Sequence, residues 1–320
     1  MTGTSTTGAS TTGASTTLRV GTRASALAVA QATGVAEALG GQLVPIESEG
    51  DRATGSLASL GGTGVFATAL REALLRGEVD VVVHSCKDLP TAPADGLSIA
   101  ALPSRVDPRD ALCARGGATM ADLPNGARVG TGSPRRRAQL AARRPDLVVT
   151  DIRGNIDTRL QRLHTDHPER ALDAIVLAAA GLERLGRTEQ ITELMPLDVW
   201  PTAPAQGALA VETRAGQEHL AASLDHADTR YAVTAERRVL ALLEAGCAAP
   251  LGAHAFVSDG MIFLSATVYA VDGMRQLTAS HASVLGAGCA SGLAAADEVA
   301  GQVSAELLAR GAAELMNIQR

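Results

Sequence analysis

Short apolar runs alternate with helical patterns through the first third of the chain. Residues 18–22 and 42–48 are short runs typical of strands, and residues 25–39 carry the spacing of a helix between them. After the glycine-rich stretch "LGGTG", residues 65–77 place apolar side chains at i, i+4 and i+8, which predicts a second helix. The run "VDVVVHS" (79–85) is apolar enough for a fully buried parallel strand. This alternation predicts an α/β lobe.

The same alternation restarts after the segment "DPRDAL". Residues 127–131, 146–152 and 172–181 are predicted strands, each followed by a helix. Near 200–211 the chain has a loop and another buried strand, which can rejoin the first lobe. The middle of the chain therefore predicts a second α/β lobe.

The last third of the chain has a different pattern. A predicted helix over 229–245 leads to Cys247, antiparallel strands with Asp-Gly turns follow, and a final helix covers about 291–311. The predicted fold class is α/β, with two doubly wound lobes and a smaller C-terminal α+β domain. The predicted divisions are a tail (1–17), the first lobe (18–104 with 203–222), the second lobe (105–202) and the third domain (223–320).

Composition narrows the class of protein. Of 320 residues, 46% are hydrophobic and only 2% aromatic, so aliphatic side chains must build the cores. No apolar run reaches the length of about 18 residues that a membrane helix needs. The Thr/Ser/Gly tract at the N-terminus has too little apolar surface to order itself and lacks the apolar centre of a signal peptide. We expect a disordered tail and a cytoplasmic protein.

Four widely spaced cysteines indicate reduced thiols, with neither a disulfide framework nor structural zinc. They are Cys86, Cys113, Cys247 and Cys289.

Charge is distributed unevenly along the chain. Residues 128–162 hold nine Arg and three Asp, which gives this segment a net charge of +6. Since the whole chain has a net charge of −6, the remaining residues together carry −12. The segment is either a solvated basic face or the site of a polyanionic ligand, and both interpretations stay open on charge alone. Lys87 is the only lysine of the chain, and it is retained either by chance or because this position needs an ammonium group rather than a guanidinium.

Two strand–helix junctions are suited to anion binding. "GTRAS" places Arg23 and Ser25 at a helix N-terminus, where free N–H groups and the helix dipole favour an anion. In "GTGSPRRRAQL", Ser133 is a natural N-cap, and a purely capping role is the simpler interpretation. Arg135 and Arg136 follow in the first turn, where cations oppose the dipole unless an anion binds there.

Two further segments carry charge at the carboxyl ends of predicted strands, where open α/β sheets bind ligands. "DIRGNIDTRL" contributes Arg153 and Arg159, which can pair with carboxylates or phosphates through two hydrogen bonds each. Asp88 follows Lys87, and it is either a carboxylate that stabilises a cation or a cap of the turn before Pro90.

Eight motifs in family order indicate a resemblance to the hydroxymethylbilane synthase (porphobilinogen deaminase) family. They are "LRVGTRASALAVAQA", "VDVVVHSCKDLPT", "DPRDAL", "VGTGSPRRRAQL", "DIRGNIDTRL", "VLAAAGLERLG", "PAQGALAVE" and "TAERRVLALLEAGCAAPLGAHA". The resemblance implies an enzyme that joins four porphobilinogen molecules head to tail with loss of ammonia and releases linear hydroxymethylbilane. It also implies two lobes like those of periplasmic binding proteins, with the active site between them.

The resemblance assigns roles to individual residues. Cys247 would hold a dipyrromethane cofactor through a thioether, formed when the thiol captures a reactive azafulvene, and Asp88 would be the catalytic carboxylate. Each pyrrole ring carries an acetate and a propionate, which accounts for the excess of arginine. The residues implied in binding cofactor and substrate are Arg23, Ser25, Lys87, Ser133, Arg135, Arg136, Arg153, Arg159 and Arg184. The family also implies a monomer without a bound metal.

Some features depart from the family pattern. Many relatives have lysines in the glycine-rich segment where this chain has Ser59 and Thr63, so a charged contact from that segment is not expected.

Two other classes of protein remain as alternatives. A two-lobed binding module for a polycarboxylate would leave the cysteine loop without a role, and a nucleic-acid binder disagrees with the acidic total and scarce aromatics. Neither a nucleic acid nor a membrane is an expected partner.

Overall fold

The computed structural model describes residues 17–47, 64–165, 167–245 and 249–316. Its strands are β1 (Arg19–Arg23), β2 (Gln42–Ile46), β3 (Val81–Ser85), β4 (Leu97–Ala101), β5 (Asp110–Ala114), β6 (Arg128–Gly130), β7 (Val148–Thr150), β8 (Ala174–Ala178), β9 (Glu193–Leu194), β10 (Leu209–Arg214), β11 (Leu251–Ser258), β12 (Met261–Tyr269) and β13 (Gln276–Val284). Its α-helices are α1 (Ala26–Ala38), α2 (Gly64–Leu75), α3 (Pro134–Arg143), α4 (Ile156–Leu160), α5 (Ala179–Arg184), α6 (Ala227–Leu242), α7 (Cys289–Ala309) and α8 (Ala312–Leu315). The predicted tail (except Thr17), the glycine-rich stretch before α2 and Cys247 lie outside the described residues.

The first lobe is a five-stranded sheet in the order β2-β1-β3-β10-β4. Strands β1, β2 and β3 are parallel, and β10 runs antiparallel to both of its neighbours. The first four residues of β3 are buried, as its unbroken apolar sequence predicted. The carboxyl ends of β1 and β3 therefore lie at one edge of the sheet, where Arg23 is the last residue of β1 and Asp88 follows β3.

The second lobe repeats this arrangement with the order β7-β6-β8-β5-β9. Strands β6, β7 and β8 are parallel, and β5 is antiparallel to β8. Two apolar clusters pack on the faces of this sheet, and Trp200 belongs to one of them. The prediction of two doubly wound lobes is confirmed.

The third domain packs α6 and α7 against the antiparallel sheet β11-β12-β13. Its core contains the inward side chains of all three strands and of both helices. Asp259 (φ 51°) and Gly260 (φ 72°) form the two-residue turn between β11 and β12, since the left-handed conformation at both positions matches the twist of a hairpin. This α+β unit confirms the predicted third domain type.

Some predicted elements need correction. The strand predicted over 172–181 ends at Ala178, and α5 begins at the next residue, because an alanine-rich run does not mark the boundary between a buried strand and a helix. Strands β4, β5 and β9 were not predicted. Their segments are short, and β5 begins inside "DPRDAL", after which the sequence pattern was expected to restart.

Two chain segments cross between the lobes, one before β5 and one before β10. At the crossing, Gly207 (φ 88°) of the second segment packs directly against the backbone of the first. A Cβ at this position would lie 2.7 Å from the carbonyl oxygen of Val106. Glu236 of α6 fastens both segments to the third domain, because it pairs with Arg105 at 2.7 Å and accepts from the backbone N–H of Ala205 at 2.6 Å. Burial raises the pKa of Glu236, but the charge of Arg105 and further hydrogen bonds outweigh it and lower this pKa to about 2.

None of the helices in the described part of the chain is long and apolar enough to cross a bilayer.

Candidate active site

The predicted catalytic carboxylate lies on a short turn at the carboxyl end of a buried strand. Strand β3 leads directly into a 3-10 helix of one turn, Cys86–Asp88. Arg237 of α6 holds this turn, because its guanidinium donates to the carbonyl oxygens of Leu89 at 2.8 Å and Pro90 at 2.6 Å. The third domain thus fixes the backbone that carries Asp88.

Lys87 occupies the same turn and lies between the lobes. Its Nζ is 3.4 Å from the side-chain oxygen of Gln206. The pKa of Lys87 is lowered to about 8, mainly by burial and also by the positive charges of Arg136 and Arg135, against the opposing charges of Asp88 and Asp110. A lysine in this position is stabilised as an ammonium ion when an additional anion binds beside it.

The N-terminus of α3 faces this lysine from the second lobe. Ser133 caps the helix by accepting from the backbone N–H of Arg136 at 3.4 Å, and Pro134 is the first helical residue. Gly132 leaves no room for a side chain, since a Cβ there would lie 2.8 Å from the carbonyl oxygen of Ile152. The capping role expected for Ser133 is confirmed, and its role in binding stays a prediction.

Asp110 is a fully buried carboxylate at the base of the cleft and receives four hydrogen bonds. Arg136 and Gln206 donate to its Oδ1 at 2.6 and 2.8 Å, and Arg135 and Trp200 donate to its Oδ2 at 2.8 and 2.9 Å. Burial by itself raises the pKa of Asp110, but the charges of the two arginines outweigh it and hold the pKa well below its usual range. Asp110 is therefore a permanent anion.

This carboxylate changes the interpretation of two predicted binding residues. Arg135 is only 3% exposed, and its Nη1 also donates to Gln139 at 2.6 Å and to the carbonyl oxygen of Pro201 at 3.0 Å. Arg136 is 7% exposed and donates to the carbonyl oxygen of Val176. Both guanidinium groups thus have internal partners, which the sequence interpretation did not foresee. Their contact with a ligand stays a prediction.

Arg159 lies close enough to two other arginines of the second lobe to feel their charges. The pKa of Arg159 is lowered, first by burial and then by the positive charges of Arg136 and Arg153, against the opposing charge of Asp151. Arg153 is half-exposed and lies 3.5 Å from Asp151, and Arg159 donates to the carbonyl oxygen of Gly154 at 2.8 Å. A cluster of like charges is unfavourable in the protein alone and is stabilised by an anionic ligand.

The other predicted binding residues lie where the two lobes meet. Ser25 caps α1 by accepting from the backbone N–H of Ala28 at 3.4 Å, and Arg23 ends β1 just before it. Arg184 ends α5 and donates to the carbonyl oxygen of Gly207 at 2.8 Å. Helices α1 and α5 contact each other across the lobes. Arg23 and Ser25 thus lie near the contact between the lobes on one side, and Arg184 lies near it on the other.

The flanks of the cysteine loop reach the same cleft. Cys247 itself is outside the described residues, but Ala249 and Leu251 line a cavity of about 50 Å³ together with Lys87 and Ser133. The first lobe, the second lobe and the third domain therefore all contribute to the wall of this cavity, and the third domain does so with residues that begin two positions after Cys247.

A larger cavity of about 370 Å³ lies behind the Cys86–Asp88 turn, between the first lobe and α6. Its wall includes Leu97, Ile99 and Val233, together with Arg237, which is already bonded to backbone carbonyls. None of the predicted binding residues lines it. The cationic cleft is therefore the better candidate for the active site.

Sequence reasoning missed Asp110 and Gln206, although both lie in motifs that it singled out, "DPRDAL" and "PAQGALAVE". The available signal was that both are polar residues within apolar stretches of sequence. Since buried polar groups need hydrogen-bond partners, such positions indicate contacts inside the protein. Which arginines they contact depends on the pairing of β5 with β8, and the sequence did not predict β5.

Within the described ranges, no group of three or more His, Cys, Asp or Glu side chains is placed to hold a metal ion.

Comparison with known proteins supplies the family. The profile "Porphobilinogen deaminase, dipyromethane cofactor binding domain" matches residues 18–222, and "Porphobilinogen deaminase, C-terminal domain" matches residues 230–283. The chain belongs to the porphobilinogen deaminase family. Proteins named porphobilinogen deaminase are 56% identical in Leifsonia xyli (93% of this chain, 94% of that protein) and 49% identical in Cutibacterium acnes (94% and 97%).

Similarity to solved structures is more distant. A putative methionine-binding lipoprotein from Bacillus subtilis is 13% identical, with a TM-score of 0.36 over 64% of this chain and 86% of that one. The family membership therefore rests on the sequence profiles and the curated relatives.

Proposed function

We propose that this chain is a hydroxymethylbilane synthase, which condenses four porphobilinogen molecules and releases the linear tetrapyrrole by hydrolysis. The observation that carries the proposal is that Lys87 of the first lobe lines one cavity with Arg135 of the second lobe and with the residues that follow Cys247. Arg136 lies across Gln206 from this lysine, and its charge in turn acts on Arg159. Family membership supports the reaction, and the charge cluster supports a substrate rich in carboxylates.

The cationic residues bind the acetate and propionate groups of the pyrrole rings. Arg153 and Arg159 offer guanidinium groups that can bind carboxylates through paired hydrogen bonds. Lys87 offers an ammonium ion, which a carboxylate stabilises by raising the lowered pKa of this lysine. Arg23, Ser25, Ser133 and Arg184 complete the set at the edges of the lobes. Arg135 acts through the Asp110 cluster, since its donors are turned inward.

Asp88 is the proposed catalytic carboxylate. In each cycle, the aminomethyl carbon of an incoming porphobilinogen molecule loses ammonia and bonds to the free α-carbon of a pyrrole ring, and that α-carbon then gives up its proton. Positive charge develops on the ring that loses ammonia, and a fixed carboxylate nearby lowers the energy of that state. The bonds from Arg237 that hold the Cys86–Asp88 turn keep this carboxylate in place without a large reorganisation.

Cys247 is the proposed attachment point of the dipyrromethane cofactor, through a thioether. A cofactor that carries four carboxylates fits the positive charges of Arg136 and Arg153 around Arg159, because it adds negative charge to that of Asp151. When bound, this group supplies the pyrrole carbon to which the first substrate ring is added. We place the enzyme in the cytoplasm as a monomer, in agreement with the family expectation.

Intact-protein mass spectrometry of the purified holoenzyme tests this proposal. The expected mass exceeds that of the polypeptide by one dipyrromethane, and a Cys247→Ser variant loses the added mass and the colour with Ehrlich's reagent. Cys289→Ser is the matched control, since Cys289 is exposed and far along the chain in α7. A polypeptide mass without any pyrrole, in a preparation that consumes no porphobilinogen, would favour the polycarboxylate-binding module instead.

A further inference from the structure

Gln206 connects the two lobes through both ends of its side-chain amide. Its Oε1 lies 3.4 Å from Nζ of Lys87 in the first lobe and 3.4 Å from Nη2 of Arg136 in the second. Its Nε2 donates to Oδ1 of Asp110 and to the carbonyl oxygen of Pro108, both at 2.8 Å. The residue is 1% exposed, so all four contacts are made away from bulk water.

The partners fix which way the amide faces. Asp110 is ionised, and a backbone carbonyl has no proton to donate, so both can only accept a hydrogen bond. The NH₂ group of Gln206 must therefore face Asp110 and Pro108, and its oxygen must face the cations. Neither leucine nor glutamate at this position can make both sets of contacts.

The backbone around Gln206 is held in an unusual conformation. Ala205 has φ 64° and Gly207 has φ 88°, so the amide is flanked by left-handed residues on both sides. A left-handed alanine is disfavoured and persists only where surrounding contacts enforce it. Here the buried carboxylate Glu236 accepts from the backbone N–H of Ala205 at 2.6 Å. The protein thus maintains a strained loop that directs this one side chain into the cleft.

The electrostatic setting explains why a neutral acceptor is useful at this point. Lys87 is surrounded by the like charges of Arg135 and Arg136 and by the opposite charges of Asp88 and Asp110. An amide oxygen attracts both cations without neutralising them. Because the contacts are long, a substrate carboxylate can take them over without breaking an ion pair.

We infer that Gln206 is a positioning residue, which holds the Lys87 ammonium and the Arg136 guanidinium on one oxygen atom across the cleft of the holoenzyme until a substrate carboxylate replaces it. The inference rests on the proposed function, since it assigns a purpose to two of the proposed binding residues. Gln206 acts through these cations and has no direct part in bond making.

The single lysine allows a direct test in the holoenzyme. Biosynthetic incorporation of [ε-¹³C]lysine gives one NMR signal, and its shift against pH gives the pKa of Lys87. Gln206→Leu removes the acceptor and lowers the titration midpoint by about 0.5 to 1 pH unit. Gln206→Glu keeps an oxygen beside Lys87 and adds negative charge, so it raises the midpoint. The control Gln302→Leu, on the exposed side of α7, leaves the midpoint unchanged.

Kinetics give the second readout. Gln206→Leu raises the KM for porphobilinogen about tenfold with a smaller change in kcat, because the cations that bind carboxylates are misplaced while Asp88 is not. Equal midpoints and equal KM values in wild type and both variants would overturn the inference, and so would shifts in the same direction for Leu and Glu. If the wild type consumes no porphobilinogen, the proposed function fails, but the titration still decides the role of Gln206. If Gln206→Leu does not fold, the isosteric Gln206→Glu variant decides it.

Discussion

Replacing Asp110 by asparagine removes one charge and almost no volume, and it tests how much the cleft depends on this carboxylate. An amide cannot accept on both sides. Whichever way it turns, its NH₂ group faces two of the four donors, either Arg136 and Gln206 or Arg135 and Trp200. The two buried arginines also lose their counter-charge.

Removing one partner of a buried ion pair costs about 3 to 5 kcal/mol, and we expect Asp110→Asn to lose that much free energy of unfolding. This is a large share of the roughly 5 to 15 kcal/mol that stabilises a typical protein. The matched control is Asp297→Asn, whose partner Arg238 is half-exposed and 3.5 Å away. A surface pair of this kind contributes about 1 kcal/mol or less.

Urea unfolding followed by circular dichroism and by the fluorescence of Trp200 measures the effect, since Trp200 belongs to the core of the second lobe. The pKa of Asp110 is lowered in the folded protein, so its contribution is present above the ordinary pKa of 3.8 and is lost as the pH falls through the folded value. Asp110 also raises the pKa of Lys87, which is about 8, so the difference between wild type and variant is constant only below the titration of this lysine, between about pH 5 and 6.5. A loss below about 1 kcal/mol, or a difference that varies within this range, would refute the reasoning.

Three other predictions follow from the site and the core. Asp88→Asn loses nearly all turnover, while its unfolding transition stays unchanged. The control Asp95→Asn, at an exposed position on the same loop, keeps the turnover and the unfolding transition of the wild type. Substantial turnover in Asp88→Asn contradicts the catalytic role. Arg159→Leu raises KM or abolishes turnover without loss of stability, because it removes the repulsion between Arg159 and its neighbouring arginines. The control Arg187→Leu removes only an exposed ion pair with Asp157. Equal kinetics in the two variants argue against the cationic site. Leu264→Ala in the third-domain core costs about 2 to 5 kcal/mol in thermal or urea unfolding, and a smaller loss means that the core collapses around the cavity.

The fold was largely predictable because its parallel strands are apolar runs bounded by helices. The 79–85 run and the hairpin turn at Asp259 and Gly260 each contain a local pattern that permits few alternatives. Short strands such as β5 were missed because five residues at a sheet position defined by long-range pairing carry little local information. Their existence depends on partners more than sixty residues away along the chain.

The site was predictable to a different extent. Positions at strand ends brought Lys87, Ser133 and Arg159 into one region, as expected from the rule that ligands bind at the carboxyl ends of strands. The division of the arginines between inward and outward partners was not predictable. Arg135 and Arg159 look alike in sequence, and only the placement of Asp110 turns the first inward.

Trp200 is the only tryptophan of the chain, and its indole donates to the Asp110 carboxylate that holds Arg135 and Arg136. All indole emission therefore originates at the floor of the cleft, from a ring that is 2% exposed. The molecule carries an intrinsic optical probe there, free of background from other tryptophans. Its lifetime and emission wavelength report on the packing around Asp110 in the unlabelled protein.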